Sequence, residues 1–222
     1  MKHACLAGLV PIFFTQSHAW LPASALAASQ PTPPSPLLAA FFRYVREGFC
    51  HVIPDGLDHI LFIVGLILLG SGGASLLLQI TVFTMAHSLS LGLALFGLIS
   101  VPSQAVEVAV AVSIAFIAAE NLLASRQTPW RLWIVGGFGL VHGLAFAHTF
   151  IENPPVREDL WPALFGFNCG VEIGQLAVVV LFLVLTFPWQ EKTWYRRGVV
   201  IPASALIAIA GLALAVERSL AL

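Results

Sequence analysis

Apolar residues in this chain arrive in long blocks rather than in the alternating or every-third-residue patterns of a soluble fold. Six such blocks stand at about 57–76, 76–99, 104–124, 131–151, 160–187 and 198–217. A helix needs about 20 apolar residues to cross the hydrocarbon core of a bilayer. The links between blocks are short: SGGAS, SVPSQ, SRQTPWR, ENPPVRED and PWQEKTWYRR. Backbone groups in lipid must be satisfied within the protein, so runs of this length close their hydrogen bonds as helices. The pattern therefore predicts an all-α, polytopic membrane bundle of six transmembrane helices. Just upstream, Leu37–Cys50 (LLAAFFRYVREGFC) sets an apolar stripe beside Arg43, Arg46 and Glu47. That mixture predicts a short helix lying along the periplasmic membrane surface. Residues 28–36 read as a Pro-rich linker. Residues 1–27 read as a signal peptide: Lys2 and His3 precede an apolar run, Ala4–Phe14, too short to span, and small residues lead up to Ala19 and Ala27. The membrane domain is then 37–222.

Composition strengthens this picture. Of the 222 residues, 59% are hydrophobic and only 9% charged, against roughly 25% charged in an ordinary soluble domain. Mean hydropathy is +0.92. Lipid, not water, must solvate most of the surface, which excludes a soluble enzyme and a disordered chain. Once the signal is removed only Cys50 and Cys169 remain, too few for a disulfide scaffold. A net charge of -1 without any basic run argues against nucleic acid as a partner. Homo-oligomerisation stays open. With the mature N-terminus outside, Arg126, Arg131, Lys192, Arg196 and Arg197 fall in inside loops, whereas the outside loops between helices hold only Arg157. This satisfies the positive-inside rule for an inner-membrane protein with both mature termini in the periplasm.

Ionisable side chains at membrane depth cost about 2.5–3.5 kcal/mol each even on a forgiving insertion scale, so each needs a reason. His51, Asp55, Asp58 and His59 crowd the entry to the first block, within HVIPDGLDH. Pro54 and Gly56 interrupt any helix there and predict a bend. His87 lies mid-span in the second block and His142 in the fourth, with His148 further out. Asn168, Glu172 and Gln175 follow i, i+4, i+7 and share one face. Ser113 and Glu120 share a face of the third block, where Glu107 marks the outer part. Gly139 and Gly143 flank His142 in a spacing that admits a neighbouring helix. Imidazole and carboxylate suit borderline divalent ions such as nickel, cobalt and zinc. His51, Asp58 and His59 are thus candidates for an outer capture site, with Asp55 beside them. His87, His142 and Glu172 are candidates for a deeper station, supported by Asn168 and Gln175. Glu107 or Glu120 is a candidate carrier of a coupling proton. Acids on inward-running helices (Asp58, Glu107, Glu172) and histidines on returning ones (His87, His142) suggest an echo of duplicated hairpins.

The blocks HVIPDGLDHILFIVGL, QITVFTMAHSLSL, VEVAVAVSIAFIAAENL, GFGLVHGLAFA and FNCGVEIGQLAV, in this order over about residues 45–185, resemble the signatures of the HupE/UreJ family. The resemblance implies a membrane protein associated with hydrogenase and urease accessory genes, a permease for nickel or cobalt. It also implies that His51, Asp58 and His59 are tied to transport. Six residues separate His51 from Asp58 here, where the family pattern has five. Transport rather than catalysis is the expected activity, with the metal ion as substrate. The competing readings are an intramembrane zinc-dependent hydrolase and a b-type haem protein with His87 and His142 as axial ligands.

Overall fold

The computed structural model describes residues 36–70, 73–124, 127–152, 155 and 159–220. The expected signal peptide and nearly all of the linker lie outside these residues. Among the described residues there are helices and turns but no strand. In chain order the helices are α1 (Pro36–Val52), α2 (Leu57–Leu68), α3 (Gly73–Leu95), α4 (Ser103–Leu123), α5 (Arg131–Glu152), α6 (Leu160–Thr186) and α7 (Ile201–Leu220). A 3-10 turn, Phe187–Trp189, extends α6, and a π turn, Arg196–Val200, leads into α7.

Four of these are long and apolar enough to cross a membrane: α3, α4, α6 with its extension, and α7 with its π turn. The pair α1 and α2 passes the same test together, as a span bent by 68°. The count is thus four, or five with the bent pair, where the hydropathy pattern predicts six. The block at α5 is not among the counted spans, and two other blocks end earlier than predicted for a clear reason. The 12 residues of α2 reach only about 18 Å, because Gly70, at φ +69°, ends the helix far short of residue 76. Likewise α3 stops at Leu95 rather than 99. There Gly97, at φ +71°, donates to the Ala94 carbonyl while Leu98 donates to that of Leu93, the paired bonds of a Schellman cap.

The largest departure is α1. It does not lie alone on a surface but packs along α6, and Ala40, Tyr44, Gly48, Cys50 and Val52 are buried. The two helices run parallel. A Cβ on Gly166 would meet Phe41 and Tyr44, one on Gly170 would meet Val45 and Phe49, and one on Gly174 would meet Val52. A second parallel pair, α3 with α5, is built the same way: Gly139 sits on the backbone of Phe83 and Gly143 on that of His87. The third close pair, α4 with α7, is antiparallel. Gln104 bonds to Arg218, Ala111 and Ala115 face Gly211, and the Ala124 carbonyl accepts from Arg196. Lipid gives no hydrophobic drive for helices to associate, so close backbone contact at small residues must supply the attraction. The outer faces are apolar: Val180, Leu181, Val184 and Leu185 of α6 and Leu206, Ile209 and Leu212 of α7 are all exposed, as lipid contact requires. Here "entry end" denotes the end where α1, α4 and α6 begin.

Replacing Gly170 by Val drives a side chain into the backbone of α1. It is expected to cost at least about 1–3 kcal/mol, read as a lower Tm by circular dichroism in detergent. Gly137→Val, where a Cβ meets nothing within 4 Å, should leave the Tm unchanged.

Candidate metal site

The break between α1 and α2 builds the site. Pro54 cannot continue the α1 hydrogen-bond ladder, and the chain doubles back so tightly that a Cβ on Gly56 would overlap the His51 carbonyl. His51, in the last turn of α1, and His59, in the first turn of α2, are thereby brought to a ring-centroid separation of 4.7 Å. His59 is the hub, 5.0 Å from His142 on α5 and 5.8 Å from His87 on α3. His51 and His87 are 6.2 Å apart. His87 and His142 are essentially inaccessible to solvent, and His59 is 5% exposed. Four aromatic rings wall the group: Phe146 at 3.9 Å and Phe167 at 5.4 Å from His51, and Phe83 at 5.0 Å and Phe62 at 5.3 Å from His142.

One tautomer follows from the bonding. The Ser113 hydroxyl donates to the Val110 carbonyl at 2.7 Å, so towards His142 Nε2, at 3.1 Å, it can only accept. His142 therefore carries its proton on Nε2 and turns a lone pair out at Nδ1, which is buried without a partner. His51 Nε2, His59 Nε2 and both ring nitrogens of His87 are also buried without a partner. Each unsatisfied buried polar group costs about 1–3 kcal/mol, so the cluster has a standing demand for something to bind. A metal ion held by tetrahedral imidazoles at about 2 Å from each nitrogen places ring centroids roughly 5 Å apart, close to the separations seen here. The donors do not converge: among the described residues no three His, Cys, Asp or Glu side chains stand in metal-holding geometry. The rings pack mostly edge to face.

The remaining candidate residues lie elsewhere. Asp58, next to His59 in the chain, pairs with Arg218 at 2.8 Å. Asp55 is exposed. Glu172 accepts from Thr81 at 3.3 Å and Gln175 from Thr84 at 2.9 Å, so this stripe meets α3 beside the cluster and not in it. Asn168 donates to the Leu164 carbonyl of its own helix at 2.7 Å. Glu107 is exposed, and Glu120 pairs with Arg131 at 2.6 Å. His148 Nε2 lies 3.2 Å from the Val101 carbonyl, at the entry end. Two separate stations are therefore not what the fold builds. The bend brings His51 and His59 together with His87 and His142, while Asp58 pairs with Arg218 and Glu172 accepts from Thr81. Sequence reasoning overlooked Arg131, which is 2% exposed, as a buried group. Its place at the first position of an apolar helix rather than within a loop was the available signal.

Residues 29–218 match the family model described as HupE / UreJ protein. The chain belongs to this family. The match takes in every helix of the bundle and all four clustered histidines of this HupE / UreJ protein. Comparison with curated proteins and with solved structures returns no match.

Ser113→Ala removes the acceptor for His142 and leaves a buried N–H unpaired. The HupE / UreJ variant is expected to be less stable by about 1–3 kcal/mol, measured as a Tm shift in detergent, whereas Ser113→Thr, which keeps the hydroxyl, should recover most of it.

Proposed function

We propose that this HupE / UreJ protein is a membrane permease for a divalent transition-metal ion, nickel or cobalt, that supplies metalloenzyme maturation. The observation that carries the reading is the mid-bundle group of His51, His59, His87 and His142, with five buried ring nitrogens lacking partners. Neutral imidazole favours borderline ions over hard magnesium or calcium. The phenylalanine wall keeps water from competing once an ion is bound. The four donors come from α1, α2, α3 and α5, so binding and release can be tied to relative movement of those helices, as at the midplane sites of carriers.

In this reading α5 completes a six-crossing bundle in the inner membrane. The entry end faces the periplasm, and the end holding Arg131 and Arg196 faces the cytoplasm, in keeping with the positive-inside rule. The competing readings find less support. A hydrolase would use a carboxylate as general base at the metal, and Asp58, the acid next to His59, is held by Arg218. A haem between His87 and His142 would have to displace Phe83, whose ring packs against both.

Metal content of purified protein equilibrated with nickel, cobalt or zinc, together with cellular accumulation of each ion, tests the proposal. His59→Ala is expected to reduce bound metal and uptake by roughly tenfold or more, while Glu172→Gln retains the wild-type metal stoichiometry. Uptake unaffected by loss of His59 would overturn the assignment.

A further inference from the structure

Two ion pairs bracket the histidine cluster. At the end opposite the entry, Arg131 bonds to Glu120 of α4 at 2.6 Å, to Gln79 of α3 at 3.0 Å and to the Leu66 carbonyl of α2 at 3.4 Å. One guanidinium thus ties four helices together, and it is almost wholly buried. At the entry end, Arg218 of α7 bonds to Asp58 of α2 at 2.8 Å and to the Glu107 carbonyl of α4 at 3.1 Å. Along α4, Ser113, which touches the cluster, lies about 9 Å from Glu107 and about 10 Å from Glu120. The cluster therefore sits midway between two charged clasps.

The topology relates the two halves of the bundle. The bent pair α1–α2, α3 and α4 form one half; α5, α6 and α7 form the other. Exchange of the halves maps the parallel pair α1 with α6 onto the parallel pair α5 with α3, and maps the antiparallel pair α4 with α7 onto itself. These are the three dominant helix contacts. An axis lying in the membrane plane does this, as in inverted-repeat carriers. The same exchange carries Glu120, at the end of α4, onto Arg218, at the end of α7. Three-helix halves replace the duplicated hairpins hinted at by the sequence.

We propose that Arg131–Glu120 and Asp58–Arg218 are the inner and outer gates of the histidine site, opened one at a time, with both closed in this structure. The proposal rests on the transport reading given above. Arg131 also places a fixed positive charge across the route of a departing cation, so that exit requires its movement and not merely a gap. Asp58 acts as a positioning residue through Arg218 rather than as a metal ligand.

Accessibility separates gating from simple stapling. Val110 and Ile117, both buried on α4, flank Ser113 on the outer and inner sides. Val110→Cys and Ile117→Cys are placed singly in the full chain and treated with a membrane-impermeant thiol reagent in right-side-out and inside-out vesicles. The chain without a reporter supplies the background. Glu120→Gln is expected to speed inner labelling at position 117 at least tenfold and to slow outer labelling at 110; Arg218→Gln is expected to do the reverse. The exchanged pair Glu120→Arg with Arg131→Glu should restore slow labelling, and serves if Glu120→Gln does not accumulate in the membrane. Asp58→Asn should retain metal stoichiometry while speeding outer labelling. Unchanged rates, or faster labelling of both reporters from both sides, would overturn the gates. Labelling needs no metal: gates that respond in cells that accumulate no nickel or cobalt would sink the transport reading and leave the gates standing.

Discussion

The carbonyl of His87 occupies the place where a Cβ on residue 143 would stand, and that single contact sets the geometry of the bundle centre. Because Gly143 lets α5 rest on the α3 backbone, its neighbour His142 is held at the depth of His87. Any larger residue would push the helices apart and move the imidazoles out of common reach. The α1–α6 pair repeats the device at Gly166 and Gly170, which locks α1 against the long helix and brings His51 to the same level. In lipid, where apolar surface alone gives helices no reason to meet, such backbone contacts are both the adhesive and the ruler.

The distribution of polar groups follows the cost of burying charge. Imidazole is neutral when unprotonated, so four of them can share an apolar cage at the price of unmet hydrogen bonds alone. Carboxylates and guanidinium groups placed there would each need a counter-charge within reach. Towards the two ends the structure sets such groups in pairs, Arg131 with Glu120 and Arg218 with Asp58. The pairs differ in weight. Asp58 and Arg218 are each about a quarter exposed, and such solvated pairs contribute little to stability. Arg131 and Glu120 are 2% and 10% exposed, where losing one partner strands the other in a medium that cannot solvate it. An asymmetry of this kind suits a site open more readily to one side than to the other.

Hydropathy was enough to find α3, α4, α6 and α7, because a spanning helix must be apolar for its whole length whatever its neighbours are. It misread α1 because a helix with one apolar face reads the same whether that face meets lipid or another helix. The small residues Ala40 and Gly48 on that face were the better clue. Pro54 and Gly56 correctly foretold the bend. Helical periodicity also put Glu172 and Gln175 on one face, and both do reach α3, at Thr81 and Thr84. Periodicity fixes which residues share a face but not which neighbour the face meets. Ser113 and Glu120 show the complementary limit: they share a face, yet about 10 Å of rise separates them, enough to put one at the cluster and the other in a clasp.

The six residues between His51 and Asp58 test which of these contacts matters. Inside a helix, an inserted residue would turn everything beyond it by about 100° and carry His59 away from the other imidazoles. Here the segment contains the Ile53–Gly56 break, where the chain is not continuously helical. The phase of α2 is set instead by its own contacts, the Asn121 side chain on the Gly65 carbonyl at 2.7 Å and Arg218 on Asp58. The phase of α1 is set by α6. The meeting of His51 and His59 is therefore defined by two independently anchored helices and only joined by the loop. Such a junction absorbs an added residue without loss of the histidine cluster. Asp58 stays in register with Arg218 for the same reason, because its position belongs to α2 and not to its distance from His51 along the chain.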